Sequence, residues 1–252
     1  MARQTGFLKV EGTIGDVTFM KTQDGFRVRQ KGGVPGSRIA TDPNFKRTRE
    51  NMAEFGTAGK AGKVLRKAFN PERLRVKDGR LVSRLVKSMM GVIRSDVTHR
   101  RGERTVTGGD LTLLQGFEFN GSAQLSTNLA VPYASTIDRE NGELTVTLPA
   151  FIPENKVVPP ISATHFKMRS AGGWVDFITG AFEVVQSESQ AYTLNETPTD
   201  ALQLKNQIAP GSTKPLFLLL GIEFLQELNG FQYPLQSGSF NSMAIVLVDQ
   251  ES

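Results

Sequence analysis

The chain reads as an α+β protein: an N-terminal β-hairpin and helical basic arm, followed by an antiparallel β-sandwich of immunoglobulin-like or jelly-roll kind. Three observations predict this. Charge divides near residue 105. Residues 1–105 hold 24 of the 30 Lys and Arg but 10 of the 25 Asp and Glu, a net +14; residues 106–252 hold 6 and 15, a net −9. Apolar spacing changes at the same place, from helical stripes to short alternating runs of Thr, Val and aromatic residues. Turn dipeptides then recur between those runs. The expected domains are residues 1–105, a basic hairpin-plus-helices arm, and residues 106–252, an acidic sandwich.

The arm begins with strands. Residues 7–11 partly alternate, Gly12 and Gly15 permit a tight bend, and residues 17–21 are β-branched and aromatic. Asp24-Gly25 is a hairpin turn pair, and residues 26–29 alternate so that Phe26 and Val28 share one face and Arg27 and Arg29 the other. Gly32, Gly33 and Gly36 make a flexible exit. Helix starts at Asp42-Pro43, an N-cap followed by a proline suited to the first helical position. Phe45, Met52 and Phe55 lie near one helical face. Gly56, Gly59 and Gly62 each cost a helix roughly 1 kcal/mol against Ala, so they mark a small-residue packing face or a hinge. A last helix spans about 80–95, with Leu81, Val82, Leu85, Val86, Met89, Met90 and Ile93 in its apolar stripe.

Beyond residue 105, Asn141-Gly142, Gly172-Gly173 and Asn229-Gly230 each sit between strand-like runs. Roughly seven to nine strands fit a sandwich. No internal repeat and no low-complexity tail is visible.

Composition excludes several function classes. The absence of cysteine rules out disulfides, thiolate zinc sites and cysteine nucleophiles. The first residues lack an apolar stretch of signal-peptide length, and the run 216–220 is too short to span a membrane. The expectation is therefore cytoplasmic synthesis without a signal peptide and no membrane partner, with the protein free or part of a virion or other particle. The stretch 56–63 suggests a phosphate loop, but neither Lys60 nor Lys63 is followed by Ser or Thr and the glycine spacing fails. His99 stands among arginines and His165 at a strand start, without the spacing of a metal site or a catalytic triad. No nucleophile elbow and no zinc-protease helix motif occurs. Two sequons, at Asn120 and Asn195, read as chance in a chain with no signal peptide. No catalytic residue, cofactor or metal ligand is assigned. Carboxylates paired in space remain open, because glycosidase acids leave no sequence signature.

The positive signal is basic. Arg27, Arg29, Lys31, Arg38, Lys46, Arg47 and Arg49, with Lys60 and Lys63, are the candidate contacts to a partner or polyanion. Lys60 and Lys63 open a second basic run that continues through Arg66, Lys67, Arg73, Arg75, Lys77 and Arg80. Aromatic interleaving is thin, and no helix-turn-helix, zinc-finger or RNA-recognition signature is present.

Gly12-Thr13-Ile14-Gly15-Asp16-Val17-Thr18-Phe19, Lys31-Gly32-Gly33 and the run from Arg47 to Gly56 form one group of motifs. Gly221-Ile222-Glu223-Phe224, Asn229-Gly230 and Tyr233-Pro234-Leu235 form another. In these, the chain resembles an uncharacterised family of bacterial hypothetical proteins of similar length. That family has no assigned activity, so the resemblance implies no functional residue. The plan of basic arm and sandwich is also similar to structural proteins of phages and phage-like particles, a likeness of architecture only.

Two function classes follow. The first is a non-enzymatic, self-assembling structural protein whose arm contacts the acidic body of the next copy. The alternative is a nucleic-acid-binding protein that uses the basic N-terminal region. An enzyme working in a cleft of the β body is least supported. On either leading reading, residues 106–252 are expected to fold alone, soluble and monomeric.

Overall fold

The computed structural model describes residues 2–30, 32–235 and 238–250. The chain divides into two compact units, Met1–Arg49 and Glu50–Ser252. The first unit carries one antiparallel sheet of four strands: β1 (Ala2–Arg3), β2 (Gly12–Ile14), β3 (Val17–Thr22) and β4 (Gly25–Gln30), in the order β1-β4-β3-β2. Gly15, at φ 56°, turns the β2–β3 hairpin. The β3–β4 loop is Gln23-Asp24, because Thr22 pairs with Gly25; the turn sits one residue earlier than the Asp24-Gly25 reading. A short helix, α1 (Gly36–Thr41), follows. Asp42 then caps a 3-10 turn, its Oδ1 accepting from the Asn44 N–H at 2.9 Å, with Pro43 in the first position.

Helix α2 (Lys46–Ala68) begins there and runs unbroken through Gly56, Gly59 and Gly62. Of the three glycines only Gly62 meets a neighbour: a Cβ there would lie 3.5 Å from Leu85 Cγ. Ala58, Ala61, Gly62 and Leu65 make the buried stripe, so small residues let this helix approach the next one closely. Met52 and Phe55, which their spacing places near one helical face, are exposed. Two helices follow, α3 (Asn70–Arg73) and α4 (Leu81–Ser95), and α4 buries Leu81, Leu85, Met89, Val92 and Ile93. That is the narrow stripe its 3.6-residue period demands; Val82, read into the stripe from the sequence, points away from it and is exposed.

A long connection carries a 3-10 turn at Leu111–Leu114 and the short helix α5 (Leu125–Asn128). Next come β5 (Ala134–Asp138), β6 (Glu143–Leu148), α6 (Pro153–Lys156), β7 (His165–Val175) and β8 (Phe182–Glu188). The chain ends with β9 (Tyr192–Thr193), β10 (Leu202–Gln207), β11 (Leu216–Leu228), β12 (Phe231–Pro234) and β13 (Ser242–Asp249). These strands form two antiparallel sheets. One is three-stranded, β10-β6-β5. In the other, β11 and β7 are central, with β12 and β13 along the outer edge of β11 and β8 and β9 along that of β7.

Both faces of the larger sheet are buried. Ala171, Val175, Phe217, Leu219, Met243 and Ile245 share a core with Ala58, Leu65, Phe69, Leu85, Met89 and Ile93 of the helices. The alternate residues Phe166, Met168, Leu216, Leu218, Leu220 and Ile222 pack with Leu144, Val146, Leu148, Leu202 and Leu204 of the smaller sheet. Double burial is why 216–220 is a continuous apolar run rather than an alternating one. A bulge between Leu218 and Leu219 shifts the register of β13, so Val246 faces the second sheet while Val248 returns to the helices.

The hairpins at Asn141-Gly142 and Asn229-Gly230 form as read. Asn229 and Gly230 both have positive φ, 53° and 79°, and close a two-residue loop between Leu228 and Phe231. Gly172-Gly173 is different: it lies inside the continuous strand β7. A Cβ on Gly172 would come within 3.0 Å of Leu144 Cβ and 3.1 Å of Asn206 Cβ. One on Gly173 would overlap the Glu183 carbonyl oxygen of β8. These glycines mark close approach rather than a turn.

The structural division falls at Arg49/Glu50, not at 105/106, because the helices after residue 50 share their core with the large sheet. Charge redistributes accordingly. Residues 1–49 hold 10 Lys and Arg against 4 Asp and Glu, a net +6; residues 50–105 hold 14 against 6, a net +8. More than half of the +14 therefore belongs to the helical layer of the second unit rather than to a detachable arm.

Candidate functional site

Seven of the nine candidate contacts lie in the first unit, and Lys31 is outside the described residues. The β3–β4 register puts Phe19 opposite Val28, and Lys21 opposite Phe26, on one face of the small sheet. Thr18 opposite Arg29 and Met20 opposite Arg27 make the other. Ile14 and Val17 join the apolar face and Arg3, opposite Arg27, the basic one. The sheet is amphipathic, yet no described residue from 2 to 49 is buried. Phe7 is 94% exposed and Ile14 66%.

Several of the candidate cations are engaged locally. Arg27 lies 3.8 Å from Asp24. Arg38 Nε donates to Asp42 Oδ2 at 3.1 Å, and Asp42 is held below the usual carboxylate range first by the Asn44 backbone N–H and then by Arg38. Arg49 Nη1 donates to the carbonyls of Ile39 (2.7 Å) and Asp42 (2.9 Å), so it closes the end of α1 and is structural. Arg29, Lys46 and Arg47 are exposed.

Lys60 and Lys63 are in the second unit, both exposed on α2. Lys63 opens onto a cleft of about 550 Å³ lined also by Arg66, Lys67, Asn70, Arg73 and Phe182. Lys67 Nζ stands 5.9 Å from the centre of the Phe182 ring. Charge clustering in the sequence pointed to these residues; only the fold puts α2, α3 and the start of β8 around one hollow.

Two carboxylate sites were not legible in the sequence. In the first, Arg169 of β7 is buried among Glu72 of α3, Glu223 of β11 and Glu188 of β8. Its Nε lies 3.0 Å from Glu72 Oε2 and its Nη1 3.1 Å from Glu223 Oε2. Arg75, at the rim, reaches Glu223 Oε1 at 3.2 Å. Burial opposes the Arg169 charge, but the carboxylates, Glu72 first, outweigh it and raise its pKa. Glu188 is held low: burial pushes it up, and Lys167 and Arg169 more than reverse that. Glu72 and Glu223 are buried, so the cluster clamps α3 to the sheet, while Glu188 and Arg75 stand at its exposed rim.

The second is Glu118, on a short segment paired to β13 through Ala244. Its Oε1 accepts from the Leu125 N–H at 3.0 Å, while Oε2 is buried without a partner. It lines a cleft of about 510 Å³ with Leu129, Val131, Tyr133 and Val246. Burial pushes the Glu118 carboxyl up to about 7, against the Leu125 N–H and the Arg84 charge; burial and then Glu118 raise Tyr133 in turn. A carboxyl normally near 4.5 thus keeps its proton in the folded protein until pH approaches 7. Stability from this group is full below about pH 4.5 and is lost as pH rises toward 7. Glu118→Gln should abolish that slope. Urea midpoints of wild type and variant should diverge across this window, the wild type falling relative to the variant. Parallel curves would refute the assignment.

Elsewhere, His99 Nδ1 sits 2.8 Å from Asp96 Oδ2, and His165 Nε2 3.4 Å from Glu227 Oε2. Asp96 also accepts from the backbone N–H groups of Thr98, His99 and Thr105, and so anchors the start of the long connection. Asn120 of the first sequon is fully buried, its Nδ2 donating to the carbonyls of Ser239 and Asn241. Among the described residues no group of three or more His, Cys, Asp or Glu could hold a metal, and no helix is long and apolar enough to cross a membrane.

No known family, curated protein or solved structure matches this chain. The likeness to a bacterial family therefore rests on the quoted motifs alone.

Proposed function

We propose that this is a non-enzymatic structural protein that assembles with copies of itself, as a subunit of a particle, tail or filament, through its first unit. One observation carries the reading. The first unit carries an amphipathic four-stranded sheet, and none of its described residues is buried. A sheet of this size needs an apolar face covered, or a helix packed on it, to be stable alone. A partner surface supplies that cover. Charge favours the sheet side of a second copy: residues 1–49 carry +6, while residues 106–252 of a neighbour carry −9, although its whole second unit, helices included, nets −1. The facing sheets of the second unit, with apolar residues between them, support the sandwich reading of immunoglobulin-like or jelly-roll kind.

The test is sedimentation velocity on the full chain at low and high salt. Wild type should sediment as an oligomer that partly dissociates as salt screens the charges. Phe19→Ser with Val28→Ser should shift it to monomer without changing the melting of the second unit. Arg27→Gln with Arg29→Gln should weaken association less and remove much of its salt dependence. A wild type that stays monomeric at tens of micromolar would sink the proposal.

A further inference from the structure

We propose that the cleft between the end of α2, α3 and the start of β8 is a binding site for phosphate groups, taken from a ligand carrying at least two of them. Four cations line it, Lys63, Arg66, Lys67 and Arg73, and no carboxylate does. None of the four makes an ion pair among the described residues. This sets them apart from Arg38, Arg75, Arg84, Arg101, Arg104, Arg139 and Arg169, each of which has a carboxylate partner.

The two guanidinium groups are nevertheless held in place. Asn70 Oδ1 accepts from Arg73 Nε at 3.1 Å and from Nη2 at 2.7 Å, and the Gly62 carbonyl accepts from Arg66 Nε at 3.2 Å. Both arginines are half-buried, and their remaining N–H groups have no protein partner among the described residues. A planar fork fixed from behind, with free donors in front, suits phosphate oxygens. The last-turn position of Arg66 and Lys67 also complements the carbonyl end of α2. A helix terminus carries about half a charge, however, and does not balance four cations. Their mutual repulsion in one hollow selects an occupant with several negative charges. Lys67 already covers the Phe182 ring, so recognition falls on phosphates rather than on a stacked base.

A small polyphosphate and a nucleic-acid strand share this chemistry, and two probes distinguish them: inorganic tripolyphosphate, and a labelled single-stranded oligonucleotide of about 12 nucleotides. The full chain should bind at least one at roughly 50 mM salt. Arg66→Gln with Arg73→Gln should weaken binding about tenfold or more. Lys87→Gln with Arg94→Gln removes the same charge from the exposed side of α4 and should change it less than about twofold. Lys63→Gln with Lys67→Gln, at exposed positions, serves if the arginine pair fails to fold. Oligonucleotide binding with a log-log salt slope near −0.7 per phosphate contact, displaced by tripolyphosphate, identifies a strand. Tripolyphosphate binding alone identifies a small ligand. The proposal is overturned if neither probe binds, if both charge-matched variants weaken binding equally, or if polyglutamate binds as well as either probe. Because assembly was assigned to the first unit, a change in phosphate binding with unaltered sedimentation separates the two readings.

Discussion

Residues 106–252, produced without the preceding helices, should fail to form a stable monomer. The helix-facing side of the large sheet presents Ala171, Val175, Phe217, Leu219, Met243, Ile245 and Val248. All of them pack in one core with α2, α3's neighbour Phe69, and α4. Phe217 meets Phe69 edge-on at 6.5 Å between ring centres. Exposing a large apolar side chain costs about 1.5–3 kcal/mol. Losing five or so of these, about 7–15 kcal/mol, is as large as the roughly 5–15 kcal/mol by which a domain is stable. The fragment should aggregate or bind a hydrophobic dye without cooperative unfolding, whereas residues 50–252 should melt in a single cooperative transition. A well-dispersed NMR spectrum from a monomeric 106–252 fragment would show that the helices are dispensable, contrary to the shared core.

The second large effect is expected at Arg169. Replacing it with Met leaves Glu72 and Glu223 buried with only the rim residue Arg75 as a cation, at 3.8 Å from one and 3.2 Å from the other. Breaking a buried ion pair from one side typically costs about 3–5 kcal/mol, because the orphaned charge stays desolvated. Adding Glu72→Gln and Glu223→Gln to Arg169→Met should recover more than half of that loss, because neutral groups are far cheaper to bury. Urea unfolding of the three proteins at neutral pH is the measurement. A single variant within about 1 kcal/mol of wild type would mean that water reaches the cluster and screens it.

The elements that the sequence predicts well are those whose local signals agree with one another. Helix α4 has a clean apolar stripe, Asn229-Gly230 has the φ > 0 tolerance its turn needs, and Asp42-Pro43 carries both a cap and a helix-starting proline. Signals failed where a residue serves a distant partner. Gly172-Gly173 looks like a turn because glycine is common in turns; here it lets β6, β8 and β10 approach β7. Met52 and Phe55 have core spacing, but no neighbour covers them. Arg49 reads as a free cation and instead holds two carbonyls.

The sequence by itself determined the α+β class, most hairpins, the helix after Arg80, the absence of cysteine chemistry and the uneven charge. Each of these depends on neighbours within about a dozen residues, or on composition, and so is written locally. Only the tertiary structure decided that the division lies at Arg49/Glu50 and that the helices belong to the core of the sheets. It also decided that Glu72, Arg169, Glu188 and Glu223 meet in one buried cluster, and that Lys63, Arg66, Lys67 and Arg73 share a cleft without a carboxylate. Burial and charge pairing arise between residues far apart in the chain, Arg169 and Glu72 being 97 positions apart. No periodicity or spacing rule reaches across that distance, because the pairing is set by which faces the packed layers bury together.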